Sequence, residues 1–350
     1  MVYIATVRHA SAVAGIGRPG YRIALGVTAG LLLAGCGDNG QNTLDPHIRP
    51  AHQITTLWWV MMVAAWIVLA GACFLLVLAW WRRQREGLPF LGQREEVSTK
   101  LVVVFGIVVP IVSVIILFVA ANLEVIKVTE APAKGDTTMT VDVIGRQWFW
   151  EFRYPNGGVV TADELHIPAG ARVRAEVTSP DVIHSFWVPE LNRKIDVIPG
   201  HPNAVLLNAS KPGRFRGQCA EFCGLQHAHM SFSVIVDTPQ RFRAWLASQA
   251  TPARAPATPQ QQAGRRLFMG NSCASCHAIA GTPAHGTVGP DLTHLASRAS
   301  LAALTIPNDA RHLLDWISDP QHIKPGVKMP GLALSPSEFR SIRDYLMSLK

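Results

Sequence analysis

Two stretches of this chain, 57–81 and 101–122, are almost wholly apolar and carry no charged residue. Each is long enough to cross the roughly 30 Å hydrocarbon core of a bilayer at about 1.5 Å per helical residue. Trp58, Trp59, Trp80 and Trp81 bracket the first run, as interfacial anchors do. Two such runs so close together predict a transmembrane hairpin rather than buried core helices. After Thr138 the pattern changes to short runs broken by Gly and Pro: Met139–Ile144, Gln147–Tyr154, Arg172–Thr178, Ala204–Leu207 and Ser231–Val236. The alternation in Arg172-Val173-Arg174-Ala175-Glu176-Val177 is that of a half-buried strand. Many short strands with turn signals predict a β-sandwich or Greek-key barrel. A short helix is expected over Gln240–Ser248, with Phe242, Trp245 and Leu246 on one side. The Pro/Ala-rich stretch after it reads as a semi-rigid spacer. Helices then return. One leads at Gln262–Met269, and the last opens with Ser335-Pro-Ser-Glu338, a capping box with Pro at the first position. Its apolar stripe is Phe339, Ile342, Tyr345, Leu346 and Leu349.

The ends of the hairpin can be given sides. Arg82, Arg83, Arg85, Arg94 and Lys100 lie between the two apolar runs, against Arg49 before them and Lys127 just after. The excess of basic residues puts the intervening loop in the cytoplasm and both outer ends across the membrane. Residues 1–35 read as an export signal, with Arg18 and Arg22 ahead of the short apolar stretch Ile23–Leu33. Leu33-Ala34-Gly35-Cys36 looks like a bacterial lipoprotein cleavage box, which makes Cys36 a lipidation site; an ordinary cleaved signal is the alternative. The expected organisation is a signal at 1–35, an extracytoplasmic segment at 36–56 and helices at 57–81 and 101–122 around a cytoplasmic loop at 82–100. A β domain at 123–249, a linker at 250–260 and a helical domain at 261–350 follow.

The net charge of +8 is modest, and no nucleic-acid partner is expected. The six cysteines change the picture more. Cys73 lies inside an apolar run, where a thiol behaves as a small hydrophobe. Cys219, Cys223, His227 and Met230 crowd into QCAEFCGLQHAHM. Thiolates, imidazole and thioether together favour copper. His184, upstream at the end of an expected strand, adds a second imidazole. Two thiolates can bridge two copper ions, each taking one imidazole and one weak donor, Met230 or the backbone carbonyl of Glu221. A structural zinc site has little use for Met, and a Cys219–Cys223 disulfide has nothing in the context to favour it. His229 is a nearby competitor, ranked behind His227. If the segment is extended, both rings face the same side. His166 and His201 read as ordinary polar residues near turns.

Cys273-Ala-Ser-Cys276-His277 has the C-x-x-C-H spacing of covalent haem attachment. The two thiols would form thioethers and His277 would bind iron. A redox dithiol is the alternative, disfavoured by the adjacent His. The opposite iron ligand is expected from Met329, in Lys324-Pro-Gly-Val-Lys-Met-Pro-Gly, because Met269 is too close to the attachment site and Met347 lies off the last helix's apolar face.

The pattern C-A-E-x-C-G-x-x-H-x-x-M, with D-V-x-H-S-F upstream and Gly145-Arg-Gln-Trp148-Phe-Trp150, resembles subunit II of cytochrome c oxidase with its dinuclear CuA centre, over roughly residues 50–240. The C-terminal region resembles a small class I cytochrome c. Gly289-Pro290 is similar to the turn by the haem edge in that family. The resemblance implies a multidomain membrane protein made of a two-helix transmembrane hairpin, an all-β cupredoxin-like Greek-key sandwich and an all-α cytochrome c domain. It implies an electron-accepting role for Trp148 and a magnesium or manganese ion held partly by the Glu221 side chain at the boundary with subunit I. It also implies catalytic subunit I and subunit III as partners, with cytochrome c or a quinol–cytochrome c reductase as donor, at the bacterial inner membrane with both redox domains outside. The chain departs from the family in its second helix. Aligned on Pro110, Val103 stands where a Glu near a proton channel often lies, and Gly106 where a Trp lies. A membrane-tethered copper carrier is the competing reading, and the haem motif argues against it.

Overall fold

The computed structural model describes residues 41–83, 95–130 and 133–350. The export signal, Cys36 and most of the loop between the apolar runs lie outside the described residues. Helix α1 spans Arg49–Arg83. The second apolar run is one helical course: α2 (Glu95–Val103), a π-helical turn at Val104–Val108, α3 (Val109–Ala120), a second π-helical turn at Ala121–Ile126 and α4 (Lys127–Thr129). Pro110 has no N–H to offer the turn before it. The Val109 N–H reaches back to Val104 O, the longer register of a π-helix. Both courses are long and apolar enough to cross a membrane, and their large side chains face outward. Their outer ends are seated on the sandwich. Ile48 and Ala51 join its core, the His47 ring meets Phe215 edge-on at 5.0 Å, and Glu130 bridges Val205.

Ten strands follow: β1 (Met139–Arg146), β2 (Phe149–Tyr154), β3 (Val159–Ala162), β4 (Glu164–Pro168), β5 (Val173–Thr178), β6 (His184–Trp187), β7 (Ile195–Val197), β8 (Asn203–Leu207), β9 (Gly213–Cys219) and β10 (Ser231–Asp237). They form two five-stranded sheets, ordered β3-β2-β1-β5-β8 and β4-β10-β9-β6-β7. Most neighbours are antiparallel, but β1 pairs with β5 and β4 with β10 in parallel. Strand β5 buries every second residue, as its alternation requires. Between the sheets, Phe186 stacks on Phe232 at 4.6 Å and Trp150 meets both rings at 5.5 and 5.3 Å. This aromatic core ends directly under His184, whose ring lies 6.1 Å from that of Trp150.

Helix α5 (Pro239–Gln249) is capped by Thr238 and lays Trp245 flat on His166, ring centres 4.0 Å apart. His166 is a polar residue close to the turn at 169–170, as expected. It sits within β4, tied to Asp237 at 2.7 Å. The C-terminal domain contains α6 (Pro259–Gly270), α7 (Cys273–Cys276), a two-stranded β11–β12 turn (Ser300–Leu301 and Ile306–Pro307), α8 (Ala310–Ser318), α9 (Pro320–Ile323) and α10 (Pro336–Leu346). Capping boxes open α6, from Thr258, and α10, from Ser335. The two helices cross at Gly264, where any Cβ would fall 1.9 Å from Ser341 O. The absence of a side chain there lets the helices touch. The stripe read from the sequence is buried in this domain's core, which also takes in Phe268, Leu313 and Ile317.

Candidate functional site

The metal-ligand candidates converge at one end of the sandwich, where β6 and β9 meet. Cys219 closes β9 and Met230 precedes β10, so the loop between them returns to its origin. The Cys219 N–H donates to Met230 O at 2.9 Å and pins both ends. His184 opens β6 and is wholly buried. The loop brings the Cys219 and Cys223 sulfurs to 3.8 Å, and both thiols are free. Nδ1 of His184 lies 3.9 Å from Cys219 Sγ, and Nδ1 of His227 lies 3.7 Å from Cys223 Sγ. Met230 Sδ is 3.7 Å from Cys223 Sγ, and Glu221 O is 3.2 Å from Cys219 Sγ. All six candidates are thus gathered, soft donors at the centre. The Glu221 residue is itself exposed, so its carboxylate is free to face a partner. His229 is not in an extended segment. His227–His229 is a 3-10 turn, and the His229 ring turns aside to Gln226 Oε1 at 2.8 Å.

The electrostatics favour a thiolate at one of the two cysteines, since the bond to Cys219 and burial push the Cys223 thiol up. Hydrogen bonds with Cys223 and His184 outweigh burial and hold the Cys219 thiol far below its usual value, favouring thiolate. Sequence reasoning did not assign a role to Asp181. Its Oδ1 accepts from His184 Nε2 at 2.9 Å, which fixes the tautomer and leaves Nδ1 for a metal. Its Oδ2 accepts from the Gln147 N–H at 2.8 Å. Burial would raise the Asp181 pKa, but these donors and the Val182 N–H hold it well below the carboxylate range. The signal was present, because Asp181 begins the same short motif that ends in His184.

The haem candidates line one largely apolar cavity. Cys273 and Cys276 come from α7, His277 follows, and Met329 lies on the wall with Leu313, Phe339 and Ile342. The His277 Nδ1–H donates to Pro290 O at 2.8 Å, which leaves Nε2 for iron. Burial lowers the pKa of His277 and keeps it neutral. At Gly289 a Cβ would stand 2.5 Å from the His277 ring, so glycine is required there. Arg298 borders the cavity, and its buried Nε has no partner among the described residues, a donor suited to an acidic edge of a bound group. The donor chemistry and the cavity fit a haem bound through His277, with the thiols in reach. The rest of the wall was not foreseen: Gln147, Trp148, Phe149 and Asp163 of the sandwich close it. The Trp148 indole N–H donates to Cys223 O at 3.0 Å, and Gln147 Nε2 donates to the same carbonyl at 2.7 Å.

Fold and sites define a membrane-anchored protein with a copper-binding sandwich and a haem-binding helical domain. Residues 158–237 match the family model described as cytochrome c oxidase subunit II, periplasmic domain, and residues 261–350 match that for cytochrome c. Cytochrome c oxidase subunit 2 of Alkalihalophilus pseudofirmus is 34% identical over 328 residues, covering 91% of this chain and 94% of that one. The Bacillus subtilis protein of the same name is 30% identical over 340 residues, covering 91% and 95%. The solved periplasmic domain of subunit II of cytochrome oxidase from Bradyrhizobium japonicum is 32% identical, covers 34% of this chain and 96% of that one, and has a TM-score of 0.32. The chain belongs to the cytochrome c oxidase subunit II family, with a cytochrome c domain at its C-terminus, and is part of an oxidoreductase complex.

Proposed function

We propose that this chain is the electron-input subunit of a haem–copper terminal oxidase. It passes electrons from a donor through covalent haem c and a dinuclear copper centre to catalytic subunit I, where oxygen is reduced to water. Bound here, the two groups supply one-electron redox chemistry with little rearrangement. Cys219 and Cys223 would bridge the copper pair, His184 and His227 would each serve one ion, and Met230 and Glu221 O would be the weak donors. Cys273 and Cys276 would hold the haem by thioethers, with His277 and Met329 on its two faces. The Glu221 carboxylate would contribute to a magnesium or manganese site completed by subunit I. The donor would be cytochrome c or a quinol–cytochrome c reductase. Subunit III would complete the assembly in a bacterial inner membrane, with both redox domains outside and Cys36 lipidated.

Trp148 carries this reading. One side chain borders the haem cavity and hydrogen-bonds the carbonyl of a copper-bridging cysteine. It thus joins the two centres within a single chain, which a copper carrier has no need of. The test is metal analysis and electron paramagnetic resonance on the purified complex, with cytochrome c oxidation followed by oxygen uptake. The expected result is two copper ions sharing one unpaired spin beside one haem c. Trp148→Phe should slow reduction of the copper pair while leaving its spectrum intact. A single copper, or zinc, overturns the proposal.

A further inference from the structure

Lys324 has no part in either ligand set, yet it is among the most buried residues of the protein, at 1% exposure. A lysine is almost never buried in this way unless its charge is compensated. Its ammonium has three N–H donors and no acceptor. All three are used, each on a different backbone carbonyl: Trp148 O at 3.1 Å, His229 O at 2.9 Å and Ala302 O at 3.2 Å. The first belongs to the tryptophan that borders the haem cavity and bonds the copper loop. The second immediately precedes Met230 on the copper loop. The third opens a turn of the haem domain in which Ala302, Ala303 and Leu304 all have left-handed φ, +54, +58 and +63°. Three successive side-chain-bearing residues in that region are costly and need outside support.

The neighbourhood agrees. Lys324 stands five positions before Met329, in the same loop. The next residue's carbonyl, Pro325 O, accepts from Gln226 Nε2 of the copper loop at 2.6 Å. Across the same contact Glu164 Oε1 accepts the Ala299 N–H at 2.9 Å. Asp163, at the cavity wall, is an acidic group whose charge favours the ammonium.

From this geometry we infer that Lys324 is a positioning residue for electron transfer between the two centres. It fastens the loop bearing the distal haem ligand to both the copper loop and the backbone of Trp148. The inference rests on the relay reading above. The step itself moves one electron from haem to the copper pair and makes or breaks no bond, so its rate depends on how the two centres are held.

The test is Lys324→Met in the intact complex, which keeps the side chain's bulk and removes every donor. Haem is photoreduced, and oxidation of the haem and reduction of the copper pair are timed. The expected result is haem-to-copper transfer slowed about tenfold or more, as loss of alignment predicts. Haem reduction by external donor, the sulfur-to-iron band and the copper resonance should be unchanged, a split that a general loss of structure would not give. Equal rates in variant and parent overturn the inference. Absence of the step in the parent instead overturns the relay reading. If the variant loses haem or copper, amine acetylation of the parent complex decides. Lys324 should react at least about tenfold more slowly than Lys328, whose side chain is 52% exposed. Equal labelling of the two overturns the inference.

Discussion

Replacing Asp181 by Asn separates what the copper loop needs from what its imidazole needs. In the parent, Oδ1 accepts from His184 Nε2 at 2.9 Å, the Val182 N–H at 2.7 Å and Ser179 Oγ at 3.1 Å, while Oδ2 accepts from the Gln147 N–H at 2.8 Å and lies 3.9 Å from the half-exposed Lys328 Nζ. An Asn can keep its oxygen toward His184 and Val182 only by turning its NH₂ toward Gln147. The Gln147 N–H then faces a donor, at a cost of about 1–3 kcal/mol for an unmet bond. The bond to His184 survives but is no longer charge-assisted, a loss of about 1 kcal/mol. The copper-free domain should therefore be destabilised by about 2–4 kcal/mol, read from denaturant melts. His184 Nδ1 becomes a poorer donor as well, so copper affinity should fall by about 10–100-fold, read by chelator competition. Copper affinity within about threefold of the parent would refute the claim that Asp181 tunes His184, even if the melt shifted as expected.

Met329→Ala should abolish the sulfur-to-iron absorption band while haem stays attached; persistence of the band would reassign the ligand. Gly264→Ala places a Cβ 1.9 Å from Ser341 O, and the helices must part to admit it. Overpacking of this kind costs about 1–3 kcal/mol or more and should lower the melting temperature followed at the haem, with little effect on copper affinity. Asp163 is buried and its pKa is raised from 3.8 to about 6, chiefly by desolvation. Between those pH values the folded state binds a proton that the unfolded state does not, so its contribution falls as pH rises from about 4 to 6, by about 3 kcal/mol at most. Asp163→Asn, which suits its φ of +60°, should flatten the stability profile across that window. An unchanged slope would count against the buried acid.

The copper loop was legible because most of its candidate ligands lie within a dozen residues and their chemistry restricts the metal. His184 was legible only through a local motif. The strands with clear alternation or aromatic runs, β1, β2, β5, β8 and β10, were foreseen nearly to their ends. Strands β3, β4, β6, β7 and β9 were not named. The first four are three to five residues long, and β9 reads Gly-Arg-Phe-Arg-Gly-Gln-Cys, with little apolar signal. What one sequence could not convey is contact at long range. Lys324 meets Trp148 across 176 positions, and Gln226 meets Pro325 across 99. A lysine in a Pro/Gly loop reads as solvated until the fold encloses it. His229 stands aside from the copper loop's centre, as its ranking behind His227 expected, but the tight turn at His227–His229 that turns it away leaves no alternation to read.

The sandwich wall that closes the haem cavity has a kinetic consequence. Two proteins that must meet by diffusion slow down when diluted, and their encounter weakens with added salt. Here the haem domain is tied to the copper domain by a short peptide, which alone would give an effective concentration near the millimolar range. In the proposed relay, only the arrival of electrons from outside remains a matter of collision. The handover inside the chain should proceed at the same pace at nanomolar or micromolar enzyme, and in dilute or concentrated salt.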